Sequence, residues 1–226
     1  MLLCAATLAF ASLAQIPNSP DIKVTFALKH SSKKDVYDAK TVYPQFSGDS
    51  AVAKLATKEV AAPLDSQLEF FMVAVDDYET ADRPKVGALY FEAGAKISIA
   101  KTDFVSLYTT VFDFAGGAHP NTVYQGMTWG IVDGKARRLK FADLLKKGED
   151  PVAVASAVVV PKLVKAAATW FKEGDKTKLD PKMVENFVVT KAGVTWIFSP
   201  YDAGPYVDGE FFIKVPWSEL KGHLKE

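Results

Sequence analysis

Two segments of this chain combine residue types that could do chemistry with the glycines and prolines that would hold them in place. The first, Phe114 to Thr122, reads Phe-Ala-Gly-Gly-Ala-His-Pro-Asn-Thr. Gly116 and Gly117 permit backbone angles that other residues resist. Pro120 pushes His119 toward an extended conformation. The loop therefore displays an imidazole, with the amide of Asn121 beside it. In one reading His119 is a ligand contact or a general base. In the other, the glycines form a bulge and His119 is a hydrogen-bonded pin for a neighbouring loop.

The second segment, Ser199 to Gly209, reads Ser-Pro-Tyr-Asp-Ala-Gly-Pro-Tyr-Val-Asp-Gly. Pro200 and Pro205 stiffen it, so it loses little entropy on binding, and Tyr201 and Tyr206 suit a recognition surface. Equally, the tyrosines could cover the edge of the core while Asp202 and Asp208 make turns. A hydrolase or metal-dependent enzyme would pair His119 with Asp202 or Asp208. His30 and His223 do not sit in ligand spacing, and no zinc, calcium-loop or phosphate-loop pattern is present. The nucleophile elbow of a Ser-His-Asp hydrolase and the strand-to-helix context of a dinucleotide fingerprint are missing too. No cofactor and no metal site is expected. The candidate residues are ligand contacts: Gly116, Gly117, His119, Asn121, Tyr201, Asp202, Tyr206 and Asp208.

Composition narrows the partners. Lys and Arg number 27 and Asp and Glu 27, a formal net charge of zero. Nucleic-acid binders carry a basic excess or stripe, and clusters such as Arg137-Arg138 read as solvated surface, so no nucleic-acid partner is expected. The single cysteine, Cys4, falls in an apolar, uncharged stretch from Met1 to Ala14. That stretch is too short to span a membrane and fits a signal peptide. Ser12-Leu13-Ala14 supplies the small residues that cleavage requires, although no Lys or Arg precedes the run. A lipid-attachment role for Cys4, or a place for the stretch in the core, are the competing readings. Residues 15–20 read as a linker, and no later segment reaches spanning length. An extracytoplasmic protein, periplasmic or secreted, is expected, with a lipid-anchored form left open.

The elements that would carry the two loops follow from periodicity. Asp21 to Leu28 alternates like a half-buried strand, and Val36 to Phe46 is a second. Residues 49–79 form a helix capped by Ser47 or Asp49, with one apolar stripe and a break or kink at Pro63. Strands follow at 89–92 and 96–100, joined by a hairpin at Gly94-Ala95, and then at 104–114 and 122–132. Asp133-Gly134 closes a tight hairpin. Helices over 139–147 and 150–172, a helical turn at Asp180-Pro181, a hairpin over 187–198, a strand over 210–215 and a terminal helix complete the chain. The expected fold is α+β: an antiparallel sheet with helices packed on one side, no parallel β-α-β alternation, and two intertwined subdomains over 21–100 and 101–226.

The segment Phe112 to Thr122 with Gly126 and Trp129, then Leu139 to Leu145, resembles the RsiV-type C-terminal domain family. Ser199 to Gly209 followed by Val215-Pro-Trp-Ser-Glu-Leu220 is similar to that family's closing signature. Val42-Tyr-Pro-Gln-Phe46 and the helix after it resemble the partner domain that precedes it. The likeness covers residues 36–226. It implies an extracytoplasmic domain whose relatives include a lysozyme-binding anti-sigma factor and a peptidoglycan deacetylase fusion. Without sigma-binding, spanning or deacetylase segments here, those two activities are not expected to carry over. The expectation is a non-catalytic envelope binding module that recognises a protein such as lysozyme or a cell-wall glycan (peptidoglycan).

Overall fold

The computed structural model describes residues 16–80 and 87–225, so the expected leader lies outside the described residues. Ten residues of β1 (Val24–Lys33) pair antiparallel with β2 (Tyr37–Phe46). Helix α1 (Ala51–Thr80) then crosses to β3 (Leu89–Lys101), which continues by hairpins through β4 (Phe104–Phe114), β5 (Asn121–Val132) and the short β6 (Lys135–Arg138). The six strands form one sheet in sequence order. Helices α2 (Pro151–Lys165), α3 (Thr169–Lys172) and α4 (Pro181–Glu185) lead to a second, three-stranded antiparallel sheet of β7 (Phe187–Thr190), β8 (Gly193–Phe198) and β9 (Phe211–Pro216), closed by α5 (Trp217–Leu220).

The α+β class holds, with corrections of detail. β2 and β3 pair in parallel, so one β-α-β crossover sits inside an otherwise antiparallel sheet. A parallel neighbour needs a long connection, and the 30-residue α1 supplies it. The hairpin expected at Gly94 does not form: β3 runs straight through it, and the turn falls at Thr102-Asp103 instead. A boundary at 100/101 would cut that β3–β4 hairpin. Ser50, not Ser47 or Asp49, caps α1, its Oγ accepting from the Ala53 N–H at 3.0 Å. The helix continues through Pro63.

Burial explains the layering. Along α1, Val52, Ala56, Val60, Leu64, Leu68, Phe71 and Val75 recur at helical spacing and are all buried. They pack on the inward residues of the large sheet, among them Phe91, Val105, Leu107 and Met127. The Trp129 indole N–H donates to Glu59 at 2.7 Å and pins the helix to β5. The small sheet lies on the opposite face of β4 and β5, and the Val189 N–H donates to Ser106 Oγ at 2.8 Å across the seam. Beyond the small sheet, Trp196, Phe141, Phe187 and the apolar sides of α2, α4 and α5 form a further core. The chain thus stacks as helix, large sheet, small sheet, helices.

The sheets come into close backbone contact at Gly126 of β5. A Cβ there would lie 2.6 Å from the carbonyl carbon and 2.8 Å from the nitrogen of Phe187. Only a residue without a side chain lets β7 approach so near. Residues 16–20, expected as a linker, are tied down: Thr102 N–H donates to the Pro20 carbonyl at 2.9 Å and Lys101 Nζ to the Ser19 carbonyl at 2.7 Å.

Candidate functional site

β5 is long and β6 is short, and this mismatch builds the site. β6 pairs only with Trp129 to Val132. The preceding stretch of β5 keeps one edge without a strand, and its even-numbered residues aim backbone groups at it. Unpaired backbone groups at a sheet edge invite wrong pairing or cost stability if buried. Side chains from distant segments take the place of the missing strand. Asn186, at the end of α4, accepts from the Gly126 N–H at 2.6 Å and donates to the carbonyls of Tyr124 at 3.1 Å and Ile197 at 2.8 Å. Ser199 Oγ accepts from the Tyr124 N–H at 3.0 Å. Arg138 donates to the Gly126 carbonyl at 2.9 Å.

The same edge, one step further along, brings the two loops together. Tyr206 donates its hydroxyl hydrogen to the Pro120 carbonyl at 2.8 Å. Its ring stacks on the His119 imidazole, with centroids 3.8 Å apart and planes 23° from parallel. His119 Nδ1 donates to the Pro120 carbonyl at 2.8 Å, and the other ring nitrogen, Nε2, faces the second loop. Tyr201 Oη stands 3.5 Å from that Nε2, and its ring centroid is 5.7 Å from that of Tyr206. Residues 82 positions apart thus share one three-ring surface patch, with His119 and Tyr201 exposed and Tyr206 half-buried. Tyr201 is 52% exposed and its φ is +71°. A bulky residue is rarely held in that left-handed region, and such strain clusters at functional sites.

The remaining candidates fall elsewhere. Gly116 adopts φ +84°, as its loop requires, while Gly117 is exposed with open space where a Cβ would sit. Asn121 is exposed and opens β5, its backbone opposite Asp113. Asp202 and Asp208 each accept a backbone N–H, the turn-holding arrangement that their sequence equally allowed. Asp202 Oδ2 accepts from the Ser199 N–H at 2.7 Å and holds the loop's own turn. Asp208 Oδ2 accepts from the Thr169 N–H at 2.8 Å at the start of α3. Each uses one oxygen on a backbone donor, and neither is hydrogen-bonded or ion-paired to His119. The acid–base pair that a hydrolase reading requires is therefore not assembled. Among the described residues no group of three or more His, Cys, Asp or Glu side chains is placed to hold a metal ion.

Two substitutions probe these contacts. Tyr206→Phe keeps the stacking and loses the bond to Pro120, so it should cost about 1 kcal/mol, read as a lower denaturation midpoint in urea. Asp202 titrates in a sense that is also testable. Burial pushes its carboxyl up, the Ser199 N–H opposes this, and the nearby Asp180 charge adds to it. A carboxyl whose folded pKa is raised costs stability above that pKa, and the cost disappears as pH falls and the folded state takes up the proton first. Asp202→Asn retains an oxygen acceptor without the charge. It should raise the melting temperature at pH 7, and the advantage over wild type should shrink in melts at progressively lower pH.

Beside the patch lies an open cleft of about 670 Å³ floored by Val123 to Gly126. Tyr201 stands at the junction, lining the cleft while facing His119. Asn186, Arg138 and Lys176, also in its wall, are residues that sequence reasoning missed. A lone asparagine after a helical turn carries no pattern that marks it. No helix among the described residues is long and apolar enough to cross a membrane.

Comparison with known proteins places the chain among similar domains. Residues 30–122 match the family described as Deacetylase PdaC, and residues 142–218 match a family described as a protein of unknown function, DUF3298. Over 114 residues the chain is 30% identical to immunogenic protein MPT64 of Mycobacterium tuberculosis and to immunogenic protein MPB64 of Mycobacterium bovis. That match takes in 50% of this chain and 49% of theirs, so the chain spans about half the length of the curated relatives it matches. The crystal structure of a DUF3298 family protein from Pseudomonas aeruginosa superposes with a TM-score of 0.65 at 16% identity, covering 92% of this chain and 96% of that one. A DUF3298 family member from Bacteroides fragilis gives 0.63 at 12% identity, with 93% and 96% covered. At such identities the shared property is the fold.

Proposed function

We propose that the chain is an extracytoplasmic, non-catalytic recognition module of the bacterial envelope whose target is the cell-wall glycan. The observation that carries this reading is the ring patch of His119, Tyr201 and Tyr206, built from two distant loops and set beside a polar cleft. Exposed tyrosine faces offer an apolar surface with a polar tip, which matches the mixed C–H and hydroxyl surface of a sugar ring. Stiff loops lose little entropy when the target docks. The patch is small beside the roughly 800 Å² per partner that a stable protein–protein interface buries, which favours a glycan over a large protein partner.

The likeness to a family described as Deacetylase PdaC supports an extracytoplasmic role. Recognition of a protein such as lysozyme is the second reading, and it rests on the resemblance of both loops to the RsiV-type family. Gly116, Gly117 and Asn121 would shape the rim of the patch, and Asp202 and Asp208 would hold its turns.

Sedimentation of the full chain with purified peptidoglycan, and calorimetric titration with lysozyme, test the two readings side by side. Tyr201→Gly removes the ring and relieves the positive φ, so the variant should be at least as stable as wild type. Its affinity for peptidoglycan should fall about tenfold, the loss of roughly 1.4 kcal/mol of ring contact. Binding to lysozyme alone would favour the second reading. No binding to either, or unchanged binding by Tyr201→Gly, would remove support for the patch.

A further inference from the structure

The cleft beside the ring patch is lined by three carboxylates and three cations, and the two signs are held differently. Each of its carboxylates already accepts a backbone hydrogen bond. Asp180 takes the Met183 N–H at 2.9 Å at the start of α4, Glu185 the Phe141 N–H at 3.1 Å, and Asp202 the Ser199 N–H at 2.7 Å. The cations are different. Arg138, Lys176 and Lys182 line the same cleft, and among the described residues none of the three forms an ion pair.

Arg138 uses one nitrogen on the Gly126 carbonyl, which fixes the guanidinium at the cleft floor and leaves further N–H groups to donate. Lys176 lies 5.0 Å from the centre of the Trp170 ring and reaches the Asp202 carbonyl only at 3.4 Å. Lys182 is exposed, on the first turn of α4. Three cations without an ion pair among the described residues line a cleft whose floor has backbone groups already satisfied by Asn186 and Ser199. The cleft therefore keeps cationic donors that no carboxylate of the described residues holds in an ion pair, beside carboxylates that are each tethered to a backbone N–H.

We infer that this cleft is a carboxylate-binding subsite that takes the acidic peptide stem of a wall glycan while the sugar rests on the adjoining tyrosines. The inference rests on the glycan reading above and names the part of the target that the cleft recognises. Arg138 offers a planar pair of donors to a carboxylate, and the two lysines contribute mobile point charges. Tyr201, shared by the patch and the cleft, sets the spacing between the ring-binding and acid-binding halves.

The test is calorimetric titration of the full chain with muramyl dipeptide and with the same compound bearing its free carboxylate as the primary amide. The acid is expected to bind about tenfold more tightly than the amide, since charge-assisted hydrogen bonds are the stronger kind. Affinity for the acid should fall on raising the salt from 50 to 500 mM, in the manner of an exposed ionic contact, both concentrations being roughly chosen to span the screening range. Lys182→Gln and Lys176→Gln should each weaken the acid several-fold and leave the amide unchanged. Lys58→Gln, an exposed lysine on α1, should alter neither. Equal affinity for acid and amide, unaltered binding by both cleft variants, or no binding of the acid would overturn the inference. If intact peptidoglycan still binds in any of those cases, the ring patch stands and only the subsite falls. If it too fails to bind, the glycan reading falls with it.

Discussion

Gly126→Ala is expected to lower the melting temperature by about 6–12 °C, corresponding to about 3 kcal/mol for a chain of this size. The added methyl would meet the carbonyl carbon and nitrogen of Phe187, at 2.6 Å and 2.8 Å. These are backbone atoms of a strand in the second sheet, so no side-chain rotation relieves the contact. The two sheets must separate, and the bonds across the seam lengthen with them: Gly126 to Asn186 and Val189 to Ser106. Differential scanning calorimetry reads the effect. A parallel substitution at Gly117, where the added atom meets open space, serves as the control and should leave the transition within about 2 °C.

Asn186→Ala is the second large effect, about 2–4 kcal/mol. The side chain makes three hydrogen bonds to backbone groups on two sheets, and alanine leaves the buried Gly126 N–H and the Ile197 carbonyl without their partner. An unsatisfied buried polar group costs about 1–3 kcal/mol. The loss should exceed that of Ser199→Ala, whose hydroxyl serves the Tyr124 N–H alone at a good distance. Because both residues seal one edge of β5 and meet at Tyr124, their double variant should be non-additive, with a coupling of about 0.5–1 kcal/mol. Urea denaturation of the four members of this cycle gives the number.

Both substitutions show what the residue pattern alone conveyed and where it stopped. Helix α1 was legible because its apolar residues recur every three or four positions. The Asp133-Gly134 turn, with φ of +51° and +72°, and the Asp180 cap of α4 were legible because each is set within a few residues of chain. The parallel pairing of β2 with β3 was not, since the same helix would equally serve an antiparallel return. Nor was the continuity of β3 through Gly94, which local turn preference alone would break. Gly126 stood out only through the family resemblance, with no sign of its role in packing, and Asn186 read as an ordinary polar residue. What makes them decisive is a neighbour 60 positions away.

The two loops divide along the same line. Their glycines, prolines and tyrosines announce stiff, exposed segments, and the stacking of His119 on Tyr206 follows from those segments meeting at the rim of β5. The aspartates gave no such guide. A carboxylate that holds its own loop and one that awaits a ligand have the same local sequence, and only the backbone donors at Ser199 and Thr169 distinguish them. The cations of the cleft come from β6, the 173–180 loop and α4, which no spacing rule joins.

The most direct test of the patch is a two-dimensional amide NMR titration of the isotope-labelled full chain with soluble wall-glycan fragments. The account predicts that resonances of residues 116–122 and 199–209 shift together, with one shared saturation curve, while those of β1 and of the outer face of α1 stay in place. Shifts confined to a single loop, or gathered on β1 or α1, would contradict it.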